Sequence, residues 1–138
     1  MDDAALKSLL EASRTVAIVG LSTDPEKVSS KIATILIDAG YEVIPVHPKA
    51  TEILGRTVYP TLADIPVPVD IVDVFRPAED APGIAEQAVA IGAKTLWLQL
   101  GIASEEARSL AETGGLTYVE DTCIGATTER LGNRAAAA

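Results

Sequence analysis

Short apolar runs alternate with stretches of helical periodicity along most of the chain. The apolar runs predict β-strands at 15–19, 42–46, 69–75, 95–100 and 116–119. Between them, apolar residues recur every three or four positions and predict helices at 4–12, 29–39, 79–91, 104–113 and 123–131. A short strand at 57–59 and a helical turn at 61–64 are also expected. Because strands and helices alternate, right-handed crossovers should form a parallel sheet with helices on both faces.

The composition agrees with one domain of this class. The chain has 138 residues, of which 48% are hydrophobic and 4% aromatic. Valine, isoleucine, leucine and alanine must therefore fill the core, as is typical of parallel strands covered by helices. We predict a single domain over residues 1–132 without an internal linker. Residues 133–138 end in alanines without periodicity, and we expect a frayed tail there.

The charge argues against some classes of partner. The formal net charge is −9, whereas nucleic acids and anionic membranes attract basic surfaces. A phosphorylated small ligand stays open, because a few local cations and helix-end amides can hold one. The sequence has no apolar run of roughly 18 residues, no signal-peptide pattern at its start and a single cysteine. These features predict a soluble, cytoplasmic protein without a disulfide or a dedicated metal site.

Candidate ligand contacts follow the ends of the predicted strands. In an open parallel sheet, ligands bind beyond the carboxyl ends of the strands, where the strand order reverses. After the first strand come Gly20 and Ser22, ahead of a helix with Ser29 as its expected cap. A glycine turn, serine hydroxyls and helix-end amides favour a diphosphate, with Lys31 supplying charge. The pattern is not Gly-x-Gly-x-x-Gly, which weakens an NAD site, and the turn and cap could also be purely structural.

His47, Pro48 and Lys49 follow the second strand, where NAD-binding proteins place an acidic residue for the ribose. A lysine suits a phosphate there, so Lys49 is a candidate contact for a ribose 3′-phosphate. The alternative is a simple turn with a solvated lysine. His47 is the single histidine of the chain, and without a clear partner it is expected to line the site rather than act as a base.

The ends of the later strands add aromatic and polar candidates. Phe75 could lie against an adenine ring and Arg76 could pair with phosphate, although a core phenylalanine and a structural salt bridge are the alternatives. Gln99 and Gly101 are expected to line the site after the fourth strand. Cys123 follows the last strand and is expected to be inert packing. No pattern for nucleophilic catalysis is present, so no catalytic residue is predicted.

Asp73 lies within the apolar third strand and raises a further alternative. A buried-strand aspartate would suggest a phospho-acceptor of the receiver type. The paired acids after the first strand that would hold magnesium are missing from the sequence. This interpretation is therefore not favoured.

Several longer motifs resemble those of a known family. They are Gly20-Leu-Ser, Ser29-x-Lys31, His47-Pro-Lys, Tyr59-Pro-Thr-Leu-Ala-Asp-Ile-Pro66, Val69-Asp-Ile-Val-Asp-Val-Phe-Arg76 and Gly92-Ala-Lys-x-x-Trp-Leu-Gln-Leu-Gly101. Over roughly residues 15–131 the chain resembles the small stand-alone CoA-binding proteins. Their domain is similar to the CoA-binding domain of the succinyl-CoA synthetase alpha subunit and of ADP-forming acyl-CoA synthetases.

The resemblance implies a three-layer Rossmann-like α/β fold with a mainly parallel five- or six-stranded sheet that binds coenzyme A. By position, Gly20, Ser22, Ser29 and Lys31 would hold the diphosphate, Pro48 and Lys49 the 3′-phosphate end, Val74, Phe75 and Arg76 the adenine or its linker, and Gln99 and Gly101 the pantetheine arm. Family members usually carry Asn in place of His47, and basic residues near the late cysteine in place of Thr122 and Gly125.

The predicted function is therefore binding of coenzyme A or an acyl-CoA without catalysis, since the phosphohistidine and grasp domains with which the synthetases make thioesters are absent from the sequence. Two alternatives remain open. An NAD(P)-dependent oxidoreductase could use Lys49 with NADP, but the glycine pattern is missing. An interaction subunit of an acyl-CoA synthetase would have lost its ligand. Pairing into a homodimer is also left open.

Overall fold

A computed structural model describes residues 1–137. Within them the chain forms a five-stranded parallel sheet with helices on both faces, the Rossmann-like α/β architecture that the sequence predicts. The strands of the sheet are β1 (Thr15–Val19), β2 (Glu42–Val46), β5 (Ile71–Val74), β6 (Thr95–Leu98) and β7 (Thr117–Val119), in the order β2-β1-β5-β6-β7. An antiparallel hairpin of β3 (Glu52–Ile53) and β4 (Arg56–Thr57) follows β2 in the chain.

The helices divide between the two faces of the sheet. They are α1 (Asp3–Glu11), α2 (Val28–Asp38), α3 (Ala81–Ala90), α4 (Glu105–Thr113) and α5 (Ile124–Leu131), with 3₁₀ turns at Leu62–Asp64 and Ala78–Asp80. One face packs against α1, α2 and α5, and the other against α3 and α4. Among the described residues, no helix combines the length and the apolar character needed to cross a membrane.

Alternating side chains of the strands fill a core on each face. Ile18, Ile71 and Trp97 belong to the core under α1, α2 and α5, whereas Val72 and Leu96 belong to the core under α3 and α4. All of these side chains are fully buried. Burial on both faces explains why the strands are nearly continuous apolar runs, and it fixes the positions of the loops that follow them.

The strand order reverses between β1 and β5. The chain runs from β1 to β2 on one side and then returns to β5 on the other side of β1. The two connections leave a crevice between the carboxyl ends of β1 and β5, which is where ligands bind in such sheets. Beyond β2, an isolated parallel bridge joins Val46 to Tyr59. The strand predicted at 57–59 is thus reduced to β4 and this bridge.

The C-terminal segment packs against the domain, where the sequence predicts a frayed tail. The Asn133 side chain is buried, and its Nδ2 donates to the carbonyl of Lys7 at 3.2 Å. The amides of Ala135 and Ala136 donate to the carbonyls of Ala39 and Ser13 at 3.0 and 2.9 Å. Backbone hydrogen bonds hold this segment in place. Such bonds do not depend on the type of side chain, so a run of alanines carries no sequence pattern that predicts them.

Candidate functional site

A cavity of about 720 Å³ opens at the carboxyl ends of β1 and β2. Its walls include Gly20 and Ser22 after β1, His47 and Pro48 after β2, and Arg76 after β5. We call this space the polar cavity. It brings together five of the residues predicted from sequence, because parallel strands present their carboxyl ends at one edge of the sheet.

Gly20 is required by the close approach of the loops after β1 and β5. Its φ is +90°, in the left-handed region that disfavours side chains. A Cβ atom built at this position would lie 2.6 Å from the carbonyl oxygen of Phe75 and 3.0 Å from Cδ of Arg76. A larger residue would therefore separate the two loops that bound the crevice.

Serine hydroxyls shape the loop between β1 and α2. The amide of Ser22 donates to Oγ of Ser29 at 3.1 Å, and Oγ of Ser30 donates to the carbonyl of Asp24 at 2.8 Å. Ser29 does not cap the helix as predicted, because the N-cap position is occupied by Lys27, two residues earlier. No side chain among the described residues caps that end, so its amides remain suited to an anion. Lys31 is exposed on the first turns of α2.

His47 closes the turn after β2 with its side chain. Its Nδ1 accepts hydrogen bonds from the amides of Lys49 and Ala50 at 3.1 and 3.0 Å. A neutral imidazole in this arrangement carries its proton on Nε2. An asparagine oxygen makes an equivalent bond to the amide two residues on, which explains how histidine can replace the asparagine usual at this position. Lys49 is exposed at the tip of the same turn.

Arg76 stands at the crevice with its charge already paired. Its Nε and Nη2 donate to Oδ2 of Asp80 at 3.1 and 2.9 Å. The ion pair is about half exposed, so a ligand phosphate could displace the carboxylate at low cost. The side chain of Val74 belongs instead to the buried core under α3 and α4, so it does not reach the crevice.

A second, smaller cavity of about 410 Å³ lies on the other side of Arg76. We call it the apolar cavity. Its lining includes Val28 and Ile32 of α2, Phe75 after β5, and Leu100 and Ile102 after β6. Predicted residues therefore divide between the cavities, since Phe75 borders this space and not the polar cavity.

Gln99 and Cys123 also border the apolar cavity, and both already bond to the start of α5. Oε1 of Gln99 accepts from the amide of Ile124 at 3.0 Å. Cys123 is the N-cap residue of α5, and its Sγ accepts from the amide of Ala126 at 3.5 Å. Gly101, by contrast, donates its amide to Oδ1 of Asp121 at 2.7 Å and holds the β6 loop.

Asp73 is sealed beneath the site and cannot serve as a phospho-acceptor. It is fully buried in β5, and neither carboxyl oxygen has a hydrogen-bond partner among the described residues. Burial raises the pKa of Asp73 well above its ordinary value of 3.8. Burial without a hydrogen-bond partner thus favours the protonated form of this carboxyl group.

One face of α3 completes the polar cavity, and sequence reasoning missed it. Asp80, Gly83, Ile84 and Gln87 line the cavity at helical spacing. Gly83 was the available signal, because a glycine inside a helix costs about 1 kcal/mol relative to alanine. No atom lies within 4 Å of a Cβ built at Gly83, so the glycine keeps this wall open.

The described side chains do not form a metal-binding cluster. Among residues 1–137, no group of three or more His, Cys, Asp or Glu side chains is placed to hold a metal ion. The lining of the two cavities instead combines a glycine turn, the start of a helix without a side-chain cap and the guanidinium of Arg76. This arrangement suits an elongated phosphorylated ligand with an apolar end.

Comparison with known proteins identifies relatives over nearly the whole chain. Residues 14–129 match the CoA_binding_2 family, described as a CoA binding domain. The chain is 40% identical over 121 residues to the uncharacterized protein YneT of Bacillus subtilis, covering 88% of this chain and 90% of YneT. It is 29% identical over 122 residues to an ADP-forming acetate–CoA ligase I of Archaeoglobus fulgidus, covering 81% of this chain but 18% of the ligase.

Solved structures also include relatives that match this chain over nearly its whole length. A hypothetical protein from Pyrococcus horikoshii superimposes with a TM-score of 0.92 at 35% identity, covering 95% of this chain and 92% of that one. A Thermus thermophilus protein, cell-free ID.343, superimposes with a TM-score of 0.89 at 32% identity, covering 95% and 99%. Both structures match the present chain over nearly their entire length.

Proposed function

The chain belongs to the CoA-binding domain family, and on that basis we propose that it binds coenzyme A or an acyl-CoA as a single domain, without catalysis of its own. The observation that carries this proposal is the polar cavity at the reversal of strand order. It combines the Gly20 turn and the cationic Arg76, and the end of α2 without a side-chain cap begins at Val28, which borders the adjoining apolar cavity. These are the groups that bind a diphosphate.

The ligand would span the crevice from β2 towards β6. Its diphosphate would lie at Gly20 and Ser22, with Ser29 holding the loop and Lys31 adding charge. The 3′-phosphate would meet Pro48 and Lys49 at the exposed turn after β2. The adenine or its linker would contact Phe75 and Arg76, and the pantetheine arm would continue towards Gln99 and Gly101. The side chain of Val74 is buried in the core and makes no contact with the ligand in this arrangement.

The absence of catalysis is part of the proposal and rests on the titratable side chains near the crevice. His47 uses Nδ1 to close its own turn, Asp80 is paired with Arg76, and Asp73 is sealed in the sheet. An acid–base pair needs two groups within reach of a substrate. These side chains offer a binding surface instead.

NADP is the second candidate, favoured by one observation. Lys49 follows β2 at the position where NAD-binding proteins carry an acid for the ribose. A cation at this position can bind a phosphate on the ribose of either NADP or CoA. The position of that phosphate, 2′ in NADP and 3′ in CoA, distinguishes the two ligands.

Calorimetric titration with CoA, 3′-dephospho-CoA, NADP and NAD tests the proposal. We expect CoA to bind about tenfold or more tightly than dephospho-CoA, because a hydrogen bond to a charged group contributes about 1.5–3 kcal/mol. Lys49→Ala should abolish that difference, whereas Lys7→Ala, on the distant helix α1, should preserve it. NADP binding without a response to CoA would overturn the proposal.

A further inference from the structure

The apolar cavity has a composition that the CoA moiety alone does not explain. We propose that it receives the acyl group of a CoA thioester, so that the physiological ligand is an acyl-CoA. The inference rests on the proposed function, because the rest of the ligand must occupy the polar cavity. The inference assigns the apolar cavity to a part of the ligand that CoA itself lacks.

Two of the most exposed apolar side chains flank this cavity. Val28 is 66% exposed and Leu100 is 70% exposed, and both line the same space of about 410 Å³. Single exposed apolar residues are ordinary, but a group of them around a cavity marks a binding surface. An apolar occupant would contact Val28 and Leu100 together with Ile32 and Ile102.

Two polar atoms that border this cavity are already hydrogen-bonded within the protein. Oε1 of Gln99 accepts from Ile124, and Sγ of Cys123 accepts from Ala126. The pantetheine arm carries amides that need hydrogen-bond partners, because burying an unpaired amide is costly. The cavity therefore suits the apolar end of the ligand, and the arm would end at its border beside Gln99.

The two cavities adjoin each other at Arg76. This residue lines both of them. The segment around the start of α2 also borders both cavities, because the loop before the helix lines the polar cavity while Val28 and Ile32 line the apolar one. A ligand with its diphosphate beside Gly20 can thus extend past Arg76 without leaving the protein surface. Its thioester end would arrive at the apolar cavity.

Calorimetry with CoA, acetyl-CoA, butyryl-CoA and hexanoyl-CoA tests this inference. A methylene that becomes buried contributes about 0.8 kcal/mol, which corresponds to about fourfold tighter binding for each one added until the cavity is full. We expect affinity to rise along this series. CoA binding with no dependence on chain length would overturn the acyl site and leave the proposed function standing, whereas no binding of any ligand would overturn both.

A matched pair of valine variants locates the effect. Val28→Ser should reduce the ratio of hexanoyl-CoA to CoA affinity. Val67→Ser makes the same change at a residue that is 39% exposed and borders a different cavity beside β2, and it should preserve the ratio. Equal ratios in both variants would overturn the inference. A ligand-free dimer that Val28→Ser dissociates would also overturn it, because a second copy would then cover the cavity.

Discussion

The two edges of the sheet use their polar groups in opposite ways. At the amino edge, the carboxylate of Asp70 accepts from the amides of Arg14 and Thr15 at 2.8 and 3.1 Å and lies 3.5 Å from Nζ of Lys94. Near the same edge, the hydroxyl of Tyr41 donates to the carbonyl of Leu10 at 2.7 Å. These bonds tie the amino ends of neighbouring strands together.

The carboxyl edge is open instead. Glycine at position 20 allows two loops to approach, and cavities lie on either side of Arg76. Exposed cations and apolar side chains surround these spaces rather than filling them. The comparison shows a difference in what the bonds join, because those at the amino edge connect neighbouring strands, whereas those of Ser22, His47 and Arg76 lie within single loops and leave two cavities between the loops.

Two aspartates at the start and within β5 show the contrast most sharply. Burial acts to raise the pKa of Asp70, but the amides of Thr15 and Arg14 and the charge of Lys94 outweigh it and lower the pKa. Burial without partners raises the pKa of Asp73. The same type of side chain is thus held towards its ionised form at the amino edge and towards its protonated form within the sheet.

The largest effect is expected from a methyl group at the crevice. Gly20→Ala adds a Cβ 2.6 Å from the Phe75 carbonyl at a positive φ, so strain and overpacking should together cost roughly 2–5 kcal/mol of unfolding free energy. Gly55→Ala is the control, because Gly55 has a φ of +72° but no atom within 4 Å of the added Cβ. It should cost only roughly 1–2 kcal/mol. Urea denaturation measures both, and equal losses would refute the close approach.

An intermediate effect is expected from Asp73→Asn, and it depends on pH. The folded protein holds the Asp73 proton more tightly than the unfolded chain, so the wild type should lose stability as pH rises from about 4 towards the folded pKa. Each unit of pKa shift corresponds to about 1.4 kcal/mol. The variant has no such proton, and its stability relative to wild type should therefore improve with pH. A difference independent of pH, in urea denaturation from pH 4 to 8, would contradict the neutral buried acid.

The smallest effect is expected from the same substitution three residues earlier. The lowered pKa of Asp70 means that its ionised form stabilises the fold above the unfolded pKa, and that this contribution is lost as pH falls through the folded pKa. Asp70→Asn should cost about 1–2 kcal/mol at pH 7 and progressively less in acid. Its affinity for CoA should match that of the wild type. Opposite pH trends for the two Asp→Asn variants are the required result, measured under the same urea conditions.

The sequence predicts the framework well because the framework depends on local patterns. The bounds of β1 and β2 agree with prediction, since turns follow their apolar runs directly. Ser104 caps α4 as expected, with Oγ accepting from the amide of Ala107. Such features need only neighbouring residues.

The remaining features depend on contacts between distant segments. The burial of Val74 follows from its register beside Val19 and Leu98, which sequence alone does not give. Ser29 bonds to Ser22 across the loop rather than capping its helix. The α3 wall of the polar cavity arises only when that helix packs against the face of the sheet. Each of these requires the assembled fold.

The most direct test is an NMR titration of ¹⁵N-labelled protein with CoA. The account predicts that the amides of Gly20, Ser22, His47 and Arg76 shift with increasing ligand, while those of Thr15 and Lys94 at the amino edge stay unchanged. Shifts confined to the amino edge, or none at all with CoA in excess, would contradict a binding site at the carboxyl edge of the sheet.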